Sequence, residues 1–82
     1  MTDTQQEIRN LIVAKFFPGE NPENLTEETT LITSGILDSL STLMLVALLE
    51  ERYGIEVEAH EASVDNLNTV VSIAQLVERK MG

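Results

Sequence analysis

The sequence predicts an all-α protein: a small four-helix bundle of three main helices and one short helix, with a long ordered loop between helices 1 and 2. Apolar residues recur at helical spacing in three separate segments, and capping or helix-breaking residues bound each segment. The only alternating stretch, residues 55–58, is too short to form a sheet by itself.

The first helix is predicted over about residues 4 to 16. Thr4 followed by Glu7 fits a capping box, in which the hydroxyl and the carboxylate satisfy N–H groups of the first turn. The following residues, 18–38, contain proline, glycine and several threonines without a sustained period. We predict an ordered loop that packs over the core through Leu25, Leu31, Ile32, Ile36 and Leu37.

The middle helix is predicted over residues 39–53, between Asp38 as a cap and Gly54 as a stop signal. At 100° per residue it has two apolar faces. The inner face is Leu45, Leu48, Leu49 and Tyr53; the outer face, flanked by Glu50 and Glu51, is Leu40, Leu43, Met44 and Ala47. Either this helix is buried all round, or its outer face meets another protein. We favour docking, because contiguous exposed apolar surface usually has a use.

Two further helices complete the predicted fold. Residues 59–67 predict one short helical turn, with Val64 and Leu67 facing inward. The last helix ends near residue 80, and either Asn68 or Thr69 can cap its start. Its apolar stripe is Val70, Ile73, Ala74 and Val77.

The composition predicts one folded domain over residues 1–82 and argues against several function classes. Fourteen acidic and five basic residues give a net charge of −9, which disfavours binding to nucleic acid and to anionic membrane surfaces. Repulsion among these acids is expected to raise carboxyl pKa values on balance. The chain has no cysteine, and it shows neither a signal peptide nor a long apolar run. We therefore expect a cytoplasmic monomer without membrane association.

The sequence offers no catalytic residue and no metal site. His60 is the single histidine and lies in a polar connector, which disfavours a Ser-His-acid arrangement and a zinc site. Ser39 is distinctive because it lies between Asp38 and Leu40 at the predicted start of the middle helix, where a hydroxyl is exposed and fixed. Taken alone, either Asp38 or Ser39 could simply cap that helix.

The residues around Ser39 resemble the phosphopantetheine-attachment segment of acyl carrier proteins. They read Gly35-Ile36-Leu37-Asp38-Ser39-Leu40, followed by the apolar helix, by Glu50 and Glu51, and by Tyr53-Gly54-Ile55-Glu56-Val57. The resemblance extends over nearly the whole chain, and it is greatest to stand-alone aminoacyl and peptidyl carriers.

This resemblance implies a non-catalytic carrier. In the family, a Mg²⁺-dependent phosphopantetheinyl transferase uses coenzyme A to esterify the serine that matches Ser39. The attached 4'-phosphopantetheine arm ends in a thiol that holds the substrate as a thioester. Asp38 matches the motif acid that the transferase complex uses near its Mg²⁺. The other implied partners are an acyl- or aminoacyl-adenylating ligase and downstream transferases, which would bind the outer face, Glu50 and Glu51.

One departure from the fatty-acid carriers bears on the cargo. Those proteins place acids just after the serine and one turn later, where this chain has Ser41 and Met44. The difference favours an aminoacyl or peptidyl carrier, served by a separate adenylating ligase, over a fatty-acid or polyketide-type carrier. The remaining alternative is an unmodified helical adaptor that uses the same apolar face only for binding.

Overall fold

The computed structural model describes residues 1–82 and contains four α-helices, one short 3-10 helix and no strand. The helices are α1 (Asp3–Phe16), α2 (Ser39–Tyr53), α3 (Val64–Leu67) and α4 (Val70–Met81), and the 3-10 helix is Pro22–Asn24. The all-α prediction is confirmed, with three main helices, one short helix and a long loop between α1 and α2. None of the helices combines the length and the apolar character needed to cross a membrane.

The capping box of α1 lies at Thr2 and Gln5, so its predicted position at Thr4 and Glu7 is wrong. The Gln5 N–H donates to Thr2 Oγ1 at 3.1 Å, and the Thr2 N–H donates to Gln5 Oε1 at 3.1 Å. Glutamine serves as well as glutamate at the third helical position, so the same chemistry fits two residues earlier. Glu7 instead faces Arg52 of α2, with 3.5 Å between Oε1 and Nε.

The core is entirely hydrophobic, and α4 contributes the largest share of it. The fourteen buried residues include Ile8, Ile12 and Val13 of α1, Leu45 and Leu49 of α2, and Val70, Ile73, Ala74, Leu76 and Val77 of α4. The predicted stripe of α4 is confirmed, and its cap is Thr69, whose Oγ1 accepts the Ser72 N–H at 3.1 Å. Leu48 and Tyr53, which were predicted to face inward on α2, are only half-buried.

The loop between α1 and α2 is ordered by side-chain burial and by hydrogen bonds to the end of α3. Its predicted apolar residues divide into buried Leu25, Leu31 and Leu37, half-buried Ile32 and exposed Ile36. The Leu31 N–H donates to the Asn68 C=O at 2.6 Å. Asn68 Oδ1 accepts the N–H groups of Ile32 at 2.9 Å and Thr33 at 3.1 Å. The loop is therefore held in one position close to the start of α2.

The short helix α3 has little to stabilise it internally. Leu67 is buried as predicted, but Val64 is 44% exposed, so the prediction that Val64 faces inward is wrong. Ser63, at the N-cap position, makes no side-chain hydrogen bond to the helix. Because forming one isolated helical turn is unfavourable, the position of α3 depends on the elements around it.

Candidate functional site

Ser39 is the first residue of α2 and lies at the surface. The side-chain hydrogen bonds at this helix start involve Asp38, Ser41 and Thr42, and they leave the Ser39 hydroxyl free. The sequence left open whether Asp38 or Ser39 caps the helix. The structure assigns the cap to Asp38, so the hydroxyl of Ser39 is not used for folding.

Asp38 is fixed and ionised beside this hydroxyl. Its Oδ1 accepts the Ser41 N–H at 2.7 Å, and its backbone C=O accepts the Thr42 hydroxyl at 2.8 Å. The hydrogen bond from the Ser41 N–H is the main cause that lowers the pKa of Asp38 below its ordinary value of 3.8. Asp38 is therefore an anion at neutral pH and a weak proton acceptor.

An open groove of about 580 Å³ lies directly beside Ser39. Its apolar walls come from three parts of the chain: Ile32 and Leu37 of the loop, Leu43 of α2, and Ala62 and Val64 around the start of α3. A group attached to the Ser39 oxygen therefore begins at the mouth of a mostly apolar groove. Sequence reasoning missed this groove, because a valine such as Val64 looks like a core residue in any periodicity argument.

The outer face of α2 is exposed, so the alternative of a helix buried all round is wrong. Leu40 is 67% exposed, Leu43 is 64% exposed and Met44 is 40% exposed. Ala47, one turn further on, is exposed as well. These four residues form an apolar strip that starts next to Ser39 and runs along the helix. The structure thus brings the predicted site serine and the predicted outer face together.

The two acids near the end of α2 differ in their surroundings. Glu51 is exposed and lines a small cleft of about 180 Å³ together with Met44 and with Lys15 of α1. Glu50 is half-buried, and its Oε2 accepts the Val57 N–H at 2.9 Å. Glu51 is therefore available on the surface, whereas the carboxylate of Glu50 ties the connector after α2 back to the helix.

His60 lies in the connector before α3 and does not line the groove. Its side chain is 77% exposed, and its Nε2 is 3.8 Å from Glu58 Oε2. Glu61 lies close to this pair, but its Oε1 already accepts a hydrogen bond from Lys80 Nζ at 2.7 Å. The three side chains thus form a surface cluster that is separate from Ser39.

A small helical fold with a free surface serine at a helix start, an ionised acid before it and a groove beside it is typical of a carrier module. Residues 7–77 match the family described as the phosphopantetheine attachment site. This match covers most of the chain, and the chain belongs to that family. The resemblance found in the sequence is confirmed, and the prosthetic group that the family carries is covalently attached 4'-phosphopantetheine.

The chain is also similar to D-alanyl carrier proteins of Streptococcus pyogenes, among them those of serotypes M5, M49 and M1. Each of these is 44% identical to it over 48 residues, which are 58% of this chain. The matched part spans 61% of the length of these relatives.

Proposed function

We propose that this chain is a carrier protein that holds an aminoacyl group as a thioester on a 4'-phosphopantetheine attached to Ser39. It is a single non-catalytic domain over residues 1–82 that acts in the cytoplasm and presents its cargo to partner enzymes. One observation carries the proposal: Ser39 has a free, exposed hydroxyl at the start of α2, in a chain of the phosphopantetheine attachment family.

The surroundings of Ser39 fit this group. The exposed hydroxyl is free to form a phosphodiester bond without breaking a hydrogen bond of the fold. The N-terminus of a helix favours an anion, because its first N–H groups and the positive end of the helix dipole point outward. The apolar walls of the groove then lie beside whatever follows the phosphate. When bound, the group supplies the thiol that this cysteine-free chain lacks.

Asp38 and Ser39 have different roles in the proposed modification. Ser39 Oγ is the nucleophile: it forms a bond to the phosphorus that bears the pantetheine, the pyrophosphate linkage of coenzyme A breaks, and adenosine 3',5'-bisphosphate leaves. The proton of the hydroxyl has to be accepted by another group. The lowered pKa of Asp38 makes its carboxylate a poor general base, so the modifying enzyme provides the proton acceptor. Asp38 fixes the helix start through Oδ1 and leaves Oδ2 for the Mg²⁺ of a phosphopantetheinyl transferase.

The outer face of α2 is the proposed docking surface for partners. An enzyme that receives a group rooted at Ser39 has to approach the side of α2 on which Leu40, Leu43 and Met44 are exposed. Buried apolar anchors supply most of the binding energy of such interfaces, while rim charges such as Glu51 act mainly on the encounter rate. The proposed partners are a phosphopantetheinyl transferase, an aminoacyl-adenylating ligase and downstream transferases.

The cargo is proposed to be an amino acid, and D-alanine is the first one to test. The relatives named D-alanyl carrier proteins support this choice. Ser41 and Met44 support it independently, because they stand where fatty-acid carriers place acids. A partner that docks here relies on apolar contact more than on ion pairs.

The test is the intact mass of the purified protein after incubation with coenzyme A, Mg²⁺ and a promiscuous phosphopantetheinyl transferase. We expect a gain of one phosphopantetheinyl group, and a further gain of one alanyl group after addition of a D-alanine-adenylating ligase and ATP. A chain that stays unmodified would instead be a helical adaptor. Loading by a fatty-acyl ligase, but not by the D-alanine ligase, would identify the fatty-acid type of carrier.

A further inference from the structure

The segment from Glu58 to Leu67 forms one wall of the groove at Ser39, but it has little stability of its own. Its helical part, α3, is four residues long and lacks a side-chain N-cap. Val64 is 44% exposed, and Leu67 is the only buried residue of α3. A single turn of helix with one buried side chain cannot hold its position without contacts to other elements.

Asn68 holds the end of this segment on the loop, and the last turn of α4 holds the part before it. Lys80 Nζ donates to Glu61 Oε1 at 2.7 Å, and Arg79 Nη2 donates to Asn66 Oδ1 at 3.3 Å. The two contacts are joined, because Asn66 Nδ2 donates to the backbone C=O of Glu61 at 2.9 Å. Glu61 Oε1 also accepts the Glu58 N–H at 3.0 Å, which closes the turn before α3. Arg79 and Lys80 thus bind the segment at two residues, Asn66 and Glu61.

The pair of Glu61 and Lys80 is partly shielded from solvent. These two side chains are 18% and 23% exposed, whereas those of Glu7 and Arg52, the other carboxylate–cation pair between distant parts of the chain, are 41% and 52% exposed. Screening by salt is weaker for a partly buried pair than for an exposed one. Of the two contacts made by the last turn of α4, Lys80–Glu61 is the stronger, because it joins two charged groups at 2.7 Å, whereas Arg79 donates to a neutral amide oxygen at 3.3 Å.

We propose that Arg79 and Lys80 are positioning residues that hold the wall of the groove beside Ser39. They act through Asn66 and Glu61, which fix the segment that carries the wall residues Ala62, Ser63 and Val64. Loss of the Lys80 contact frees this wall to move away from α2 and widens the groove. These contacts hold the wall whether or not Ser39 carries a group. Only the use of the groove by a group attached to Ser39 rests on the proposed function.

Amide hydrogen exchange of the unmodified protein tests whether Lys80 holds the segment, with Lys80→Gln compared to Lys15→Gln. Both changes remove one positive charge, but Lys15 is exposed and makes no ion pair. In Lys80→Gln, the N–H groups of Ala62 and Leu67, which hydrogen-bond within the segment, should exchange at least about threefold faster. Exchange in α1 should not change. Equal exchange in Lys80→Gln and the wild type would overturn the proposal.

The conservative variant Lys80→Arg distinguishes the charged hydrogen bond to Glu61 from the packing of the lysine side chain. It keeps a charged donor opposite Glu61, so we expect exchange at Ala62 and Leu67 to stay at the wild-type rate. If Lys80→Arg exchanges as fast as Lys80→Gln, the packing of the lysine chain holds the segment, and an ion-pair tether is excluded.

The protein that carries the prosthetic group provides the second readout. Conversion from the unmodified form should shift the amide NMR signals of Ala62, Ser63 and Val64 in the wild type, and shift them less in Lys80→Gln. If the wild type gains no mass, the proposed function fails. The exchange experiment still shows whether Lys80 holds the segment in place. If the wild type is modified but these signals do not shift, the role of this wall toward the attached group is refuted.

Discussion

Asn68 Oδ1 accepts the backbone N–H of Ile32 at 2.9 Å, across 36 residues of the chain. Ile32 lines the groove beside Ser39, and Asn68 follows directly after α3. This contact fixes the loop wall of the groove to the junction of α3 and α4. A second wall, formed by Ala62, Ser63 and Val64, is held from the other end of α4 through Arg79 and Lys80.

Replacement of Asn68 by alanine should destabilise the fold. Two backbone N–H groups, those of Ile32 and Thr33, lose their acceptor, and we expect the free energy of unfolding to fall by about 1–2 kcal/mol. Urea unfolding followed by circular dichroism measures this change. The control is Asn10→Ala at an exposed position of α1, which should not lower stability. Equal midpoints for Asn68→Ala and the wild type would show that water replaces the lost acceptor without cost.

Ser39→Ala should abolish the mass gain produced by the phosphopantetheinyl transferase, because the acceptor oxygen is removed. The helical circular dichroism should be unchanged, since the cap of α2 is supplied by Asp38. Ser41→Ala is the matched control: it removes a hydroxyl from the same helical turn but keeps the N–H that Asp38 binds. It should be modified normally. A mass gain in Ser39→Ala would place the attachment on another residue.

Met44→Glu should weaken loading by the cognate ligase by at least about tenfold in kcat/KM, because it puts a charge into an apolar docking surface. The fold should survive, since Met44 is 40% exposed and the core residues Leu45 and Leu49 remain in place. Gln75→Glu, at an exposed position of α4, adds the same charge away from this surface and should load normally. Normal loading of a folded Met44→Glu protein would place the docking surface elsewhere.

Three carboxyl groups have pKa values below their ordinary values, so the expectation that repulsion raises the values is wrong for them. A hydrogen bond from the Ser41 N–H lowers the pKa of Asp38. The Tyr53 hydroxyl beside Glu7 lowers the pKa of that group, and the hydrogen bond from Lys80 lowers that of Glu61. In each case neighbouring polar or charged groups outweigh the desolvation of the carboxyl group, which acts in the opposite direction.

These lowered values predict how stability depends on pH. A carboxyl group with a depressed pKa in the folded state stabilises the fold above its unfolded pKa, and this contribution is lost as the pH falls through the folded value. The ordinary values are 4.5 for Glu7 and Glu61 and 3.8 for Asp38. The free energy of unfolding should therefore begin to fall just below pH 4.5 and continue to decrease at lower pH.

Urea unfolding at a series of pH values from about 7 to about 3 measures this decline. Glu61→Gln should show a shallower decline than the wild type, because one of the three linked groups no longer titrates. Glu28→Gln is the control, since Glu28 is exposed and forms no ion pair, and it should follow the wild-type curve. A stability that increases below pH 4.5 would mean that relief of charge repulsion dominates.

The bounds of α2 and α4 were predictable from the sequence, because the residues that end these helices act locally. Asp38, Gly54 and Thr69 bind or break the backbone next to them, whatever the rest of the fold does. The groove was not predictable in this way. Asn68 looks like a helix cap in the sequence, but its side chain binds the loop at Ile32, and no local pattern records a contact over that separation.

The length of α2 sets a fixed distance between its two ends. The helix has fifteen residues, and Gly54, with φ of 64°, ends it in the left-handed conformation that favours glycine. At a rise of about 1.5 Å per residue, Ser39 and Glu51 are separated by about 18 Å along the axis. A partner that contacts both residues needs a binding surface at least that long. One residue inserted between them would rotate Glu51 by about 100° away from the outer face. A partner that contacts both residues therefore requires a fixed number of residues between Ser39 and Glu51.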